Sequence, residues 1–214
     1  MSQRSTLFVC LVLLGMSGCG TTDDSVALQI TGATQEGLRY GELFHAQLSG
    51  RNVDRITVVV EAVEQGEFHE IARGWMNVGG DTNDASIYFL DMDDAKDQED
   101  SHRFSLGGTG SLREDKSNQF PAIDYTIPAE YSLTDTSYPK QMEIEPKTGT
   151  LVYQRHYRVP KETDQAPGLI MSPSGELYMD VPPTPWKRSE IAALTKKLDT
   201  IAIVISVRAT QWQD

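Results

Sequence analysis

The sequence predicts a mainly β fold: an antiparallel β-sandwich with one C-terminal helix that is followed at once by a buried strand. Three observations carry this expectation. Through most of the first half, apolar and polar residues alternate with the period of two that puts successive side chains on opposite faces of a strand. Turn residues interrupt the alternation at roughly ten-residue intervals, the spacing of short strands in a sandwich. Near the C-terminus, one stretch with helical spacing runs directly into an apolar run that occupies both parities.

The elements follow in order. Val26, Leu28 and Ile30 alternate with Ala27 and Gln29, and 43–48 is a second short run. The strongest strand signal is 55–63, where Ile56, Val58, Val60 and Ala62 share one face. Glu64-Gln65-Gly66-Glu67 reads as a hairpin connection, with Gly66 supplying the unusual backbone angle and the chain returning through Phe68 to Trp75. Two more strands are expected at 86–90 and 103–106, with loops at 79–84 and 107–110. Together these six strands give a sandwich of immunoglobulin-like appearance, without the Cys, Trp and Cys pattern of true immunoglobulin domains. Beyond a polar break at 113–119, strands are expected at 151–159 and 175–181. After the prolines at 182, 183 and 185 comes the helix, capped by Ser189, with Ile191, Leu194 and Leu198 on one face and Trp186 stapling its start. The run 200–208 reads as a strand buried on both faces and shared with the first half.

Composition excludes several classes. The chain has 214 residues, 39% hydrophobic and 23% charged, which sets it apart from collagenous, wholly disordered and polytopic membrane proteins. A domain of this size buries about 70% of the surface its unfolded chain exposes, so neither a disulfide nor a metal is needed to hold it together. Thirty-one acidic against 19 basic residues give a net charge of −12 and no basic stripe, so nucleic acid is not an expected partner.

The N-terminus carries the most specific signal. Arg4 precedes the apolar run 7–14, and Gly15-Met16-Ser17-Gly18 leads to Cys19. Eight apolar residues span about 12 Å as a helix, too short for a permanent span, so the layout is that of a cleaved export signal. Met16-Ser17-Gly18-Cys19 resembles the lipobox of bacterial lipoproteins, with Met16 where Leu is commonest. The resemblance implies cleavage between Gly18 and Cys19, acylation of Cys19 (palmitate among the chains) and a membrane anchor. Gly20 after the cysteine implies the outer membrane, with the domain periplasmic or surface-exposed. The chain then divides into a signal peptide at 1–18, a polar tether at 19–25 and a single mainly-β domain at 26–209, with a subdivision conceivable near 113–119.

Candidate sites are few. The acidic stretch 91–100, with Asp91, Asp93, Asp94 and Asp97, could chelate calcium, aided by the loop 79–84, though it fails the EF-hand spacing. Tyr153, Arg155 and Tyr157 point one way on a strand, and a guanidinium between two rings could hold a sugar or an anion; cross-strand packing is the plainer account. Ser137-Tyr138-Pro139-Lys140 and Lys147-Thr148-Gly149 mimic a penicillin-binding site but lack its spacing. Trp75, Trp186 and Trp212 read as core or edge anchors. No catalytic residue is nominated and no cofactor is required, calcium aside. The sequence therefore reads as a membrane-anchored cell-envelope lipoprotein, a non-enzymatic binding or structural protein with an envelope protein as partner. The alternatives are an envelope hydrolase using an acidic pair and a calcium or small-ligand module.

Overall fold

The computed structural model describes residues 26–34, 42–91, 103–110, 119–128, 130–146, 148–159, 170–171, 177–178 and 187–211. Gly18, Cys19, Asp93, Asp94, Asp97, Trp186 and Trp212 lie outside them. The described chain is mostly strand with a single helix, as expected. Its elements are β1 (Ala27–Thr34), β2 (Glu42–Glu64), β3 (Glu67–Asp91), β4 (Arg103–Thr109), β5 (Ala122–Asp124) and β6 (Ser132–Ser137). These are followed by β7 (Met142–Ile144), β8 (Thr150–Arg158), the small pair β9 (Ile170–Met171) and β10 (Leu177–Tyr178), α1 (Arg188–Leu198) and β11 (Thr200–Thr210). No described helix is long and apolar enough to cross a membrane.

One curled antiparallel sheet runs in the order β5-β4-β3-β2-β11-β8-β6, with β1 and β7 attached beside β2. Two long strands produce the curl. The first half of β2 pairs with β1, from Ala27 opposite Arg51 to Thr34 opposite His45. Its second half pairs with β11, from Thr210 opposite Arg55 to Ile201 opposite Glu64. Between the halves, the register against β3 shifts at Leu48/Gly50, Gly50/Val53 and Val53/Arg55. Asn52 at φ 55°, Gly79 at φ 70° and Gly80 at φ 99° mark the same bend. Bulges sharpen twist and let a strand pass from one layer to the other. The expected strands 43–48 and 55–63 are thus one strand, and 79–84, expected as a loop, lies inside β3. The segment 107–110, also expected as a loop, supplies the end of β4 through Thr109.

The core fills the curl. Leu28, Ile30, Phe44, Ala46, Leu48, Ile56, Val58, Val60 and Ala62 are all buried, which is the alternation read from the sequence. Across the gap, the Tyr153 ring lies 5.1 Å from Phe44 and 5.8 Å from Phe89. The sheet path ends in β5 and β6, which residues 125–131 connect, and Ile127 of that connection is buried in the core. The polar break at 113–119 falls mostly outside the described residues, but Gln119 exchanges two backbone hydrogen bonds of 2.8 and 3.0 Å with Trp75. Trp75 is an edge anchor, with the Arg55 guanidinium 5.8 Å from its ring.

β11 is buried on both faces and sits between β2 and β8, as its apolar run predicts. Ile201, Ile203, Ile205, Val207 and Ala209 face the main core, while Ala202 and Val204 join Val63 and Ile191 in a second cluster beneath α1. The helix departs from expectation in two respects. It begins at Arg188, and the Lys187 N–H donates to Glu190 Oε2 at 3.0 Å, so Glu190 rather than Ser189 secures the first turn. Its buried residues are Ile191 and Thr195, while Leu198 is 37% exposed. The cause is the β2–β3 turn below it. Gln65 and Gly66 both have positive φ, 51° and 85°, and the Gly66 N–H donates to Thr195 Oγ1 at 3.1 Å. A Cβ on Gly66 would come 3.1 Å from the Ala192 carbonyl oxygen, so the turn can press against the helix only as glycine.

Candidate functional site

A groove of about 650 Å³ opens on the outer face of β7, β1, β2 and β3, within the range of ligand pockets. Its floor is made of small residues. Ala27 is exposed and lies opposite Arg51, and Leu28 places its backbone between Gly50 and Ile144. Gly50 carries no side chain for a steric reason. A Cβ there would come 2.9 Å from Val53 Cγ2 and 3.0 Å from both the Ala27 carbonyl oxygen and Leu28 Cδ1.

The walls are polar. Gln29 stands between Ser49 on β2 and Glu143 on β7, and Arg51, Asp81, Asn83 and Glu145 complete the rim. Several of these groups are held in place. Ser49 Oγ donates to Asn83 Oδ1 at 2.8 Å, and the Asn52 N–H donates to Asp81 Oδ1 at 3.1 Å. Thr148 Oγ1 donates to Glu145 Oε2 at 2.5 Å, while the Glu145 N–H donates to Thr150 Oγ1 at 2.7 Å. Three strand spacings separate Asp81 from Glu143 and Glu145, roughly 14 Å between backbones. Among the described residues, no three His, Cys, Asp or Glu side chains come together as a metal site.

The same outer face continues away from the groove along β2, β3 and β4. Gln47 lies opposite Ser86, and Ser86 opposite Thr109, with the two hydroxyls 2.8 Å apart. One row further, His45 lies opposite Tyr88 and Tyr88 opposite Gly107. The Tyr88 ring lies across that glycine: a Cβ on Gly107 would fall 2.1 Å from Tyr88 Cε2 and Cζ. Gly107 is therefore a seat for an aromatic ring.

The candidates read from the sequence are placed differently. Tyr153, Arg155 and Tyr157 do share a face, and the Arg155 guanidinium lies 5.4 Å from the Tyr157 ring centre. That face is the inner one: Tyr153 and Tyr157 are each 1% exposed, because the space between the layers is filled by their rings. Packing accounts for them, and no exposed ring is left there to hold a sugar or an anion. On the opposite face of β8, burial holds the His156 pKa down at about 4. Asp91 ends β3 opposite Phe104. Of the companion segment 79–84, Asp81 and Asn83 line the groove. The remaining polar groove residues, Gln29, Ser49, Arg51, Glu143 and Glu145, carry no motif and come from β1, β2 and β7 with the residue that follows it, segments distant in sequence. Only a cross-strand register joins them, and the one local signal is the Gly50 that follows Ser49.

No protein family model matches the chain, nor does any curated protein or solved structure.

Proposed function

We propose that the protein is a lipid-anchored, non-enzymatic binding protein of the bacterial cell envelope, held in the outer membrane through Cys19, and that it binds an envelope component in the groove above β1. The observation that carries this reading is the position of the groove. Val26 and Ala27, the first described residues after the tether, are part of its lining. Seven residue steps separate Cys19 from Val26, and a fully extended chain of that length reaches at most roughly 25 Å. An anchor at Cys19 therefore keeps the groove beside the lipid surface.

Two measurements test the proposal. Cys19→Ser abolishes incorporation of labelled palmitate and moves the protein out of the membrane fraction; persistent labelling overturns the anchor. A photocrosslinking residue at Gln29 captures an envelope component from intact cells, while the same residue at Lys196, on the exposed side of α1, does not. Equal capture from both positions overturns the groove as the binding surface.

A further inference from the structure

We infer that the groove and the strand face beyond it bind an uncharged oligosaccharide, whose terminal ring stacks on Tyr88. The inference rests on the binding reading above and names its ligand class. Gln29, Arg51, Asp81, Asn83 and Glu143 each end in a flat group with two polar atoms side by side, which is the shape that engages two neighbouring hydroxyls of one sugar ring. Asn83 and Asp81 are already positioned by hydrogen bonds from Ser49 and from the Asn52 N–H. Preorganised groups lose less entropy on binding.

The second support is the face that leads out of the groove. Thr34, His45, Gln47, Ser86, Tyr88 and Thr109 adjoin one another by register and form an uncharged patch, which the exposed carboxylate of Asp84 separates from Asn83 in the groove. Tyr88 is partly exposed, and its ring lies against the bare backbone of Gly107. A flat aromatic surface beside hydroxyl and amide groups suits the CH face of a sugar. From Asn83 to Tyr88 the strand advances five residues, roughly 17 Å, the reach of a short oligosaccharide and not of a single ring.

Two other ligand classes fit less well. A polyanion meets Asp81, Glu143 and Glu145 against the single cation Arg51. A protein partner normally finds large apolar or aromatic anchors at the centre of its interface. The large hydrophobic side chains exposed among the described residues are Leu133, Val159 and Leu198, and all three lie away from this face, on β6, just after β8 and on α1.

The test uses the full lipidated protein in a detergent free of sugar headgroups. Three uncharged tetrasaccharides, of N-acetylglucosamine, α-linked glucose and β-linked glucose, are titrated by calorimetry and saturation-transfer NMR, with a sulfated tetrasaccharide as comparison. At least one uncharged probe binds and the sulfated one does not. Tyr88→Ala weakens that binding about tenfold, whereas Tyr88→Phe stays within about threefold, because stacking and not the hydroxyl is at stake. Ala27→Trp, which fills the groove floor from an exposed position, abolishes it; this variant and Gln47→Ala decide the matter if Tyr88→Ala fails to fold. Preference for the sulfated probe, or binding that survives both Tyr88→Ala and Ala27→Trp, overturns the inference. If no uncharged probe binds while the Gln29 crosslinker still captures an envelope component, the ligand class is wrong and the binding role stands. If both fail, both readings fall.

Discussion

His156 is 3% exposed, with Nε2 3.2 Å from Gln154 Oε1, and burial holds its pKa at about 4. The unfolded chain takes up a proton near the ordinary value of about 6.5, which the folded protein accepts only near 4. Stability is thus whole above about pH 6.5 and falls as the pH drops from there toward 4, by roughly 3 kcal/mol at full extent. The urea midpoint of the wild type is expected to fall between pH 7 and pH 5, and His156→Gln to flatten that slope; a wild-type midpoint constant over this interval would refute the assignment. Tyr125 works at the other end of the scale. Burial, together with its hydrogen bond to Glu64, pushes the phenol pKa up, so stability present below about pH 10 is lost as the pH rises beyond it. Gly107→Ala brings a methyl group into the Tyr88 ring, which must move. A loss of roughly 1–3 kcal/mol in chemical denaturation is expected, and none from Gly107→Ala in a Tyr88→Ala background. None of these three environments was legible in the sequence. Both faces of β8 are buried, so alternation alone could not tell which of its residues face the core, and Gly107 looks like a loop glycine until its strand partner is known.

At the level of the element, α1 is held at both ends by the strands beneath it. Arg188 Nη1 and Nη2 donate to Glu61 at 2.5 and 2.8 Å, and the guanidinium lies 3.8 Å from the centre of the Phe68 ring. Toward the other end, Thr195 accepts from Gly66, and Gln65 Nε2 donates to Asp199 Oδ1 at 2.9 Å. Thr195→Val keeps the shape but leaves the Gly66 N–H without its acceptor, and is expected to cost about 1–2 kcal/mol. Gly66→Ala should cost about as much, through its positive φ and the contact with the Ala192 carbonyl. Thermal melts of the two variants check this, and an unchanged Tm for both would mean that the turn does not support the helix. The existence of the helix and the placement of Ile191 inside it were readable from spacing. The identity of the second buried residue was not, because a threonine hydroxyl serving a turn glycine 129 positions away leaves no periodic trace.

For the whole molecule, β11 is the strand that joins the first half of the chain to the second. It bonds along its length to β2 on one side and to β8 on the other. Ile203→Ala removes buried methyl groups at that seam and is expected to cost about 2–5 kcal/mol. Fluorescence and circular dichroism should lose signal together in this variant, since neither layer keeps its neighbour; separate transitions would show two independent units. The sequence foretold the buried strand through apolar residues at both parities, and the hairpin through Gln65-Gly66. It did not foretell the change of layer, because bulges at 48–55 depend on which strands flank β2 and not on local composition. For the same reason the groove was invisible, its floor being two small residues from different strands.

The double pairing of β1, to β2 on one side and β7 on the other, also bears on how the domain meets force. A chain tethered ahead of Ala27 pulls on β1 along the axis of that strand. Traction in this direction shears the flanking hydrogen bonds all at once, whereas a pull across the sheet would unzip them singly. A pull applied ahead of Ala27 would therefore meet high resistance to detachment of the first strand, and single-molecule stretching from the N-terminal side should register a higher rupture force than stretching across the β2–β3 turn.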